Sequence, residues 1–313
     1  MKIVYLDQNQ WIRLARAWKY PSEDTRLREL VEKIERGVLG GTLCLPLTAT
    51  NLYETYKIND PEKRKDLSII QSKLSRGIVF AGRHKRLASE ISTVVRSIQC
   101  LPIVSYEKNW FLSDLFFEAF AEHGDDRTQL TFSESLLEAM RANPADFLFD
   151  YLVRAPNEER QLAVKQWSVG SEELQQRVER RRQKFQNEPM EIRRRAYSAA
   201  LMIDELEIIL KFARDAGASW QSFSDIGSSN ARRLIEEVPA YHIECELALK
   251  LEAQNRPIEE NDFRDMATFC ATVPYADFVI SENMFVNLAH QARLNKHFDT
   301  IITTDLMEIS QFL

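Results

Sequence analysis

Glycine is scarce, with nine in 313 residues. So few glycines argue against a loop-rich all-β architecture and favour helices joined by short connections. Cysteine is sparser still. Cys44, Cys100, Cys245 and Cys270 are scattered without a Cys-x-x-Cys pair, so no thiolate zinc site is implied and the thiols read as reduced and mostly buried. The five histidines show no recognisable pairing, and neither Gly-x-Ser-x-Gly nor His-Glu-x-x-His occurs, which leaves a serine or cysteine triad without support. Gly-x-Gly-x-x-Gly and Walker A patterns are missing too, so nucleotide-cofactor chemistry lacks its phosphate loop. No apolar run approaches the roughly 18 residues that a membrane span needs. The most apolar window, 110–120, is interrupted by Ser113, Asp114 and Glu118. The first seven residues lack the apolar region and cleavage site of a signal peptide. The expectation is a soluble, cytoplasmic protein without a membrane partner.

Hydrophobic residues at 44% are enough for a packed core, and the length allows one large domain or two ordinary ones. Lys plus Arg total 41 against 47 for Asp plus Glu, a formal charge of -6. That balance excludes a chain that coats nucleic acid by bulk charge but leaves a local basic groove open.

Residues 3–6 are an apolar run of β formers that stops at Asp7, which predicts a buried strand. The spacing of Trp11, Leu14, Ala15 and Trp18 predicts a helix over 11–18. Further helices are expected from 22 or 24 to 36 with Gly37 beyond the end, and over 48–58, 61–74 and 87–98. A strand over 42–47 and a loop or short strand at 77–80 lie among them. From 106 to 217 nearly everything is helix-patterned. It holds an aromatic helix over 110–120, a charged stretch over 172–195 broken by Pro189, and a helix over 197–216 stopped by Gly217. Alternation then returns, with helices over 240–251, 261–272 and 283–294, strands over 278–280 and 300–303, and a closing helical turn. This implies a parallel sheet covered on both faces, made from 1–105 and 240–313, with 106–239 as an all-helical insertion or second lobe.

Carboxylates stand at the ends of these elements. Asp7 follows the first strand directly, where ligands bind in open parallel sheets, although a helix N-cap explains it equally well. Glu54 lies in the helix after the second strand and, alone, reads as a solvated helix carboxylate. Asp262 and Asp265 begin the helix before the 278–280 strand, with capping as the competing reading. Glu282 closes that strand and repeats the pattern of Asp7. Carboxylates converging on one sheet edge repel unless a cation neutralises them, and an all-oxygen ligand set favours Mg²⁺ or Mn²⁺.

The succession of strand then Asp7-x-Asn9, a Thr48-x-x-Asn51-x-x-Glu54 helix, a helix-borne Asp265, and strand then Ser281-Glu282 resembles the PIN-domain nucleases. The resemblance implies a PIN-like, Rossmann-like three-layer α/β domain and leaves the helical middle uncovered. Asp7, Glu54 and Asp265 resemble the metal-binding acids of the family, and Asn9 a supporting amide. Glu282, with Ser281 before it, stands where the family usually has Asp in a Thr-x-Asp sequence, and reaches one methylene further. Asp262 is a possible exchange for Asp265. Asp277 precedes its strand and belongs at the far end. The implied activity is a metal-dependent endonuclease, with RNA favoured over DNA, of the kind used as toxins or antiviral defence effectors and controlled by an inhibitory or activating protein partner. The competing reading is a catalytically silent scaffold that binds RNA or a protein through the helical lobe.

Other clusters invite weaker readings. Arg83, Lys85 and Arg86 are a dense basic group and the preferred phosphate contact. The arginines over 177–195 are interspersed with glutamates, which suits an ion-paired exposed helix better than a phosphate grip. Glu122, His123, Asp125 and Asp126 read as a solvated turn rather than a metal site. The aromatic residues over 110–120 read as core or lobe interface before base stacking, and could also carry a homo-oligomer contact.

Overall fold

The computed structural model describes residues 1–20, 22–121, 132–161, 178–185 and 187–313. Strand β1 (Lys2–Leu6) leads into helices α1 (Gln8–Lys19) and α2 (Thr25–Leu39), then strand β2 (Leu43–Cys44). Helices α3 (Ala49–Lys57) and α4 (Pro61–Ser75), strand β3 (Val79–Phe80), helix α5 (Arg83–Ile98) and strand β4 (Leu112–Ser113) follow. The middle holds a 3-10 turn (Phe116–Phe120), α6 (Glu134–Ala142), α7 (Pro144–Arg154), α8 (described over 178–185), α9 (Met190–Asp204), α10 (Leu206–Asp215) and α11 (Phe223–Glu237). The chain continues through α12 (Pro239–Glu252), α13 (Glu260–Thr272), β5 (Phe278–Ile280), α14 (Asn283–Gln291), α15 (Leu294–His297), β6 (Ile301–Thr303) and a 3-10 stretch (Leu306–Phe312). This is a mixed α/β architecture, a small parallel sheet beside a large helical region.

The sheet has the order β2-β1-β5-β6 with every pair parallel, and Leu6 lies opposite Ile280 in register. Successive side chains of a strand point to opposite faces, and both faces here are covered. Ile3 and Tyr5 of β1 join Val279 and Ile302 in a core with Leu87, Ile209, Leu234 and Phe269 of α5, α10, α11 and α13. Val4 and Leu6 join Phe278 and Ile280 in a second core with Trp11, Ile34, Leu52, Ile70 and Leu148 of α1, α2, α3, α4 and α7. Two-sided burial is why β1 and β5 are apolar at nearly every position. The middle of the chain reaches both layers, α7 on one and α9 to α11 on the other. No described helix is long and apolar enough to cross a membrane.

Three expected elements differ. The aromatic segment over 110–120 is not a helix. It turns at Asn109 (φ 66°), pairs β4 with β3 and closes in a 3-10 turn. Its aromatic residues serve two cores, not one face: Phe111 stacks on Tyr275 at 4.5 Å, while Phe116 stacks on Tyr151 at 4.6 Å. The helix expected over 197–216 is two helices, α9 and α10, separated at Glu205, whose carboxylate is drawn to Arg83 and Tyr241. Helix α2 runs through Gly37 to Leu39 before turning at Gly40 and Gly41.

Gly77 sets how closely α4 approaches α7. Its φ is +76°, and a Cβ there would lie 2.3 Å from the carbonyl carbon of Pro144, which is backbone and has nowhere to move. Gly77→Ala therefore combines left-handed strain with overlap and is expected to destabilise by roughly 3 kcal/mol. Urea unfolding measures it, and a midpoint equal to wild type would show that the approach is not tight.

Candidate functional site

From β1 the chain crosses to β2 on one side, and from β5 to β6 on the other, so the order β2-β1-β5-β6 changes direction between β1 and β5. Open parallel sheets bind ligands outside the carboxyl ends of the strands at such a point. Asp7 and Glu282 are the N-cap residues of the helices that leave these two strands, and the Asp7 N–H donates to the Ile280 carbonyl at 2.9 Å.

Asp7 caps α1 with one oxygen only. Its Oδ1 accepts from the Gln10 N–H at 3.1 Å, whereas Oδ2 is buried and has no hydrogen-bond partner. The cap and the site readings thus coexist in one side chain. Glu282 makes no capping bond, and its Oε1 accepts from the Asn9 amide. The motif spacing after β2 has a local cause. Thr48 and Asn51 form a capping box, and Asn51 Nδ2 also donates to the Leu6 carbonyl at 3.3 Å, tying α3 to the end of β1. Glu54 follows within the same helix. Thr50 of α3 accepts from Thr268 of α13 at 2.9 Å, which joins the helices bearing Glu54 and Asp265.

The charges register this convergence. Burial pushes the Asp7 carboxyl up to about 6, with Glu282 and Glu54 adding to the effect against the N–H donors of Gln10 and Asn9. Burial and then the charges of Glu282, Glu54 and Asp7 push Asp265 up to about 7. Glu54 is raised by burial and Glu282, with Arg264 and Lys57 opposing. The four carboxylates are one electrostatic unit of like sign. Among the described residues, no three His, Cys, Asp or Glu side chains form a group that could hold a metal ion as they stand. The chemistry of the donors nevertheless suits a hard divalent cation, since all are carboxylate oxygens and one of them is buried without a partner.

Asp262 is occupied otherwise. It completes the capping box of α13 and takes Arg256 through both oxygens at 2.6 and 3.0 Å. Asp277 lies at the opposite end of β5, where it binds Lys2 at 2.7 Å and the Ile3 N–H at 2.8 Å, clamping the starts of β1 and β5. Ser281 is buried, and its N–H donates to the Thr303 carbonyl.

The expected phosphate contacts Arg83, Lys85 and Arg86 are not a free basic surface. Arg83 binds Glu205 at 2.9 Å and lies 3.6 Å from Glu244. Lys85 pairs with Glu118 at 2.8 Å. Arg86, 3% exposed, donates to the carbonyls of Ala81 and Cys270. The acid and histidine cluster at 122–126 lies outside the described residues, as do Glu172, Glu173 and Arg177. Sequence reasoning passed over Arg256, which holds Asp262, and the cations Lys57 and Arg264 beside Glu54. Lys57 lies three residues after Glu54 and Arg264 directly precedes Asp265, a local signal that could have found both.

No protein-family model matches the chain, and the searches of curated proteins and of solved structures give no match.

Proposed function

We propose that the chain is a metal-dependent phosphodiesterase, an endonuclease acting on RNA, with a PIN-like arrangement of 1–105 and 240–313 around the sheet. The observation that carries the reading is the buried, unpartnered Oδ2 of Asp7 within four mutually repelling carboxylates at the switch point. Asp7, Glu54 and Asp265 would hold Mg²⁺ or Mn²⁺. When bound, such an ion supplies a low-pKa water and stabilises charge on the phosphodiester. The protein's own groups do the placing. Asn9 fixes Glu282 through Oε1, leaving Oε2 to accept a hydrogen bond from the attacking water. Arg256 keeps Asp262 from competing with Asp265 for the site.

A silent scaffold is the second reading, favoured by the absence, among the described residues, of three acids already grouped as ligands. One assay separates the two. Labelled RNA and DNA are incubated with Mn²⁺, Mg²⁺ or EDTA and either wild type or Asp265→Asn. Loss of a group that merely supports a ligand costs about 10–100-fold in affinity or activity, so loss of a ligand is expected to cost at least as much. Metal-dependent cutting by wild type that falls in the variant is the expected result. Cutting that survives in EDTA or in the variant overturns the reading, and binding without any cutting selects the scaffold.

A further inference from the structure

Three polar side chains are buried where apolar ones would fill the space. Gln8, the first residue of α1, is 9% exposed, and Thr55 of α3 and Gln71 of α4 are 0% exposed. Trp11, Leu52, Tyr56, Ile70 and Leu74, on the same three helices, belong to one apolar core. The polar side chains close a ring. Gln8 Nε2 donates to the Thr55 hydroxyl at 2.8 Å, the hydroxyl donates to Gln71 Oε1 at 2.8 Å, and Gln71 Nε2 donates to Gln8 Oε1 at 3.3 Å. Each member gives one hydrogen bond and takes one.

Such a ring adds little net stability. Its hydrogen bonds offset the desolvation of its own groups, and apolar side chains of the same shape can serve a core as well. What it adds is a unique fit, because the three bonds close together only when α1, α3 and α4 are seated in one arrangement. That seating bears on the acid set. Gln8 lies between Asp7, the cap of α1, and Asn9, which holds Glu282. Thr55 directly follows Glu54. Among the described residues no hydrogen bond holds the Glu54 carboxylate, so its place is set by how α3 sits. Asn51, one turn before Thr55 on the same face, donates to the carbonyl of Leu6, the residue before Asp7. These two links fix α3 against the end of β1 and the start of α1, while Thr50 joins it to α13. A carboxylate can turn toward an ion by changing rotamer, but no rotamer restores the spacing of two backbones.

We infer that Gln8, Thr55 and Gln71 are positioning residues for the acid set: their ring sets the separation of the backbones that carry Asp7 and Glu54, and through it the affinity for a divalent cation. The inference rests on the metal-dependent reading of that set. None of the three supplies a carboxylate, and Gln71 belongs to a helix that carries no member of the set.

The test is the Mn²⁺ affinity of the full chain by isothermal titration calorimetry, with melting temperatures in EDTA beside it. Thr55→Val removes the hydroxyl at nearly unchanged shape and is expected to weaken Mn²⁺ binding about 10–100-fold, while Thr55→Ser keeps both bonds and the wild-type affinity. Thr55→Val is also expected to melt lower, since Gln8 and Gln71 each lose a partner. The triple variant Gln8→Met, Thr55→Val, Gln71→Met separates position from stability, and it carries the test if Thr55→Val does not fold. It leaves no member of the ring unpaired, so its melting temperature is expected to return toward wild type while its Mn²⁺ affinity stays low. A triple variant that binds Mn²⁺ as tightly as wild type, or Thr55→Ser binding as weakly as Thr55→Val, overturns the positioning role and leaves the metal site standing. No Mn²⁺ binding by wild type overturns the metal reading and the inference with it. Ring-dependent Mn²⁺ binding without cutting of labelled RNA or DNA removes the nuclease and keeps the inference.

Discussion

Asp7→Asn is expected to abolish metal-dependent cleavage and, in EDTA, to make the protein more stable. The two effects have one cause. Asp7 is 8% exposed, and its carboxyl is pushed up to about 6 by burial and by the charges of Glu282 and Glu54. An acid held above its unfolded value near 3.8 costs nothing while both states are protonated; the penalty builds as pH rises from that value to the folded one, and levels off above it. At neutral pH the penalty is on the order of 3 kcal/mol. Asparagine keeps the cap, because its Oδ1 can still accept from Gln10 and Asn is as good an N-cap as Asp. Only the charge is lost. The difference in melting temperature between variant and wild type should be near zero around pH 4 and grow to its full size by about pH 7, the value to which Asp265 is also raised. Saturating Mn²⁺ should raise the melting temperature of wild type and not of the variant. A variant less stable than wild type at neutral pH in EDTA would mean that Asp7 serves α1 chiefly as a charged cap.

This double use of a residue is also why the placement of Asp7 and Glu282 was legible in the sequence. Strand ends and helix starts are local events. An apolar run that stops at Asp7, and another followed by Ser281 and Glu282, mark where two strands deliver their acids. The pairing of Leu6 with Ile280 brings these ends side by side. Thr48 and Asn51 are similarly legible, since a capping box is set by spacing alone. The 110–120 segment was not, because periodicity within one stretch cannot show that Phe111 and Phe116 face different cores. Nor could a count of basic residues show that Arg83 meets Glu205, 122 positions away, or that Arg86 meets the carbonyl of Cys270, 184 positions away. Whether a cation is free depends on its long-range partners, and those exist only in the fold.

Arg86 brings that difference to measurement. As a surface phosphate contact, it would weaken RNA binding when replaced and leave stability within about 0.5 kcal/mol of wild type. In the structure its guanidinium is enclosed. Nε donates to the Ala81 carbonyl at 2.8 Å and Nη1 to the Cys270 carbonyl at 2.9 Å, and Nη1 lies 4.0 Å from the buried Glu90. Glu90 in turn accepts from the Ala240 N–H at 2.9 Å and from the Tyr275 hydroxyl, so one ion pair joins α5 to the start of α12 and the end of α13. Arg86→Ala leaves two carbonyls without donors and a carboxylate buried without its cation. Removing one partner of such a pair typically costs about 3–5 kcal/mol, and a loss of that size is expected in urea unfolding. Adding Glu90→Gln removes the stranded charge, keeps an oxygen to accept from the Ala240 N–H and turns its NH2 toward the Tyr275 hydroxyl oxygen, which can accept, so the double variant should recover part of the loss. Lys85→Ala breaks only an exposed pair with Glu118 and should cost no more than about 1 kcal/mol. Weaker RNA binding by Arg86→Ala with undiminished stability would place this guanidinium on the surface and restore the 83–86 cluster as the nucleic-acid contact.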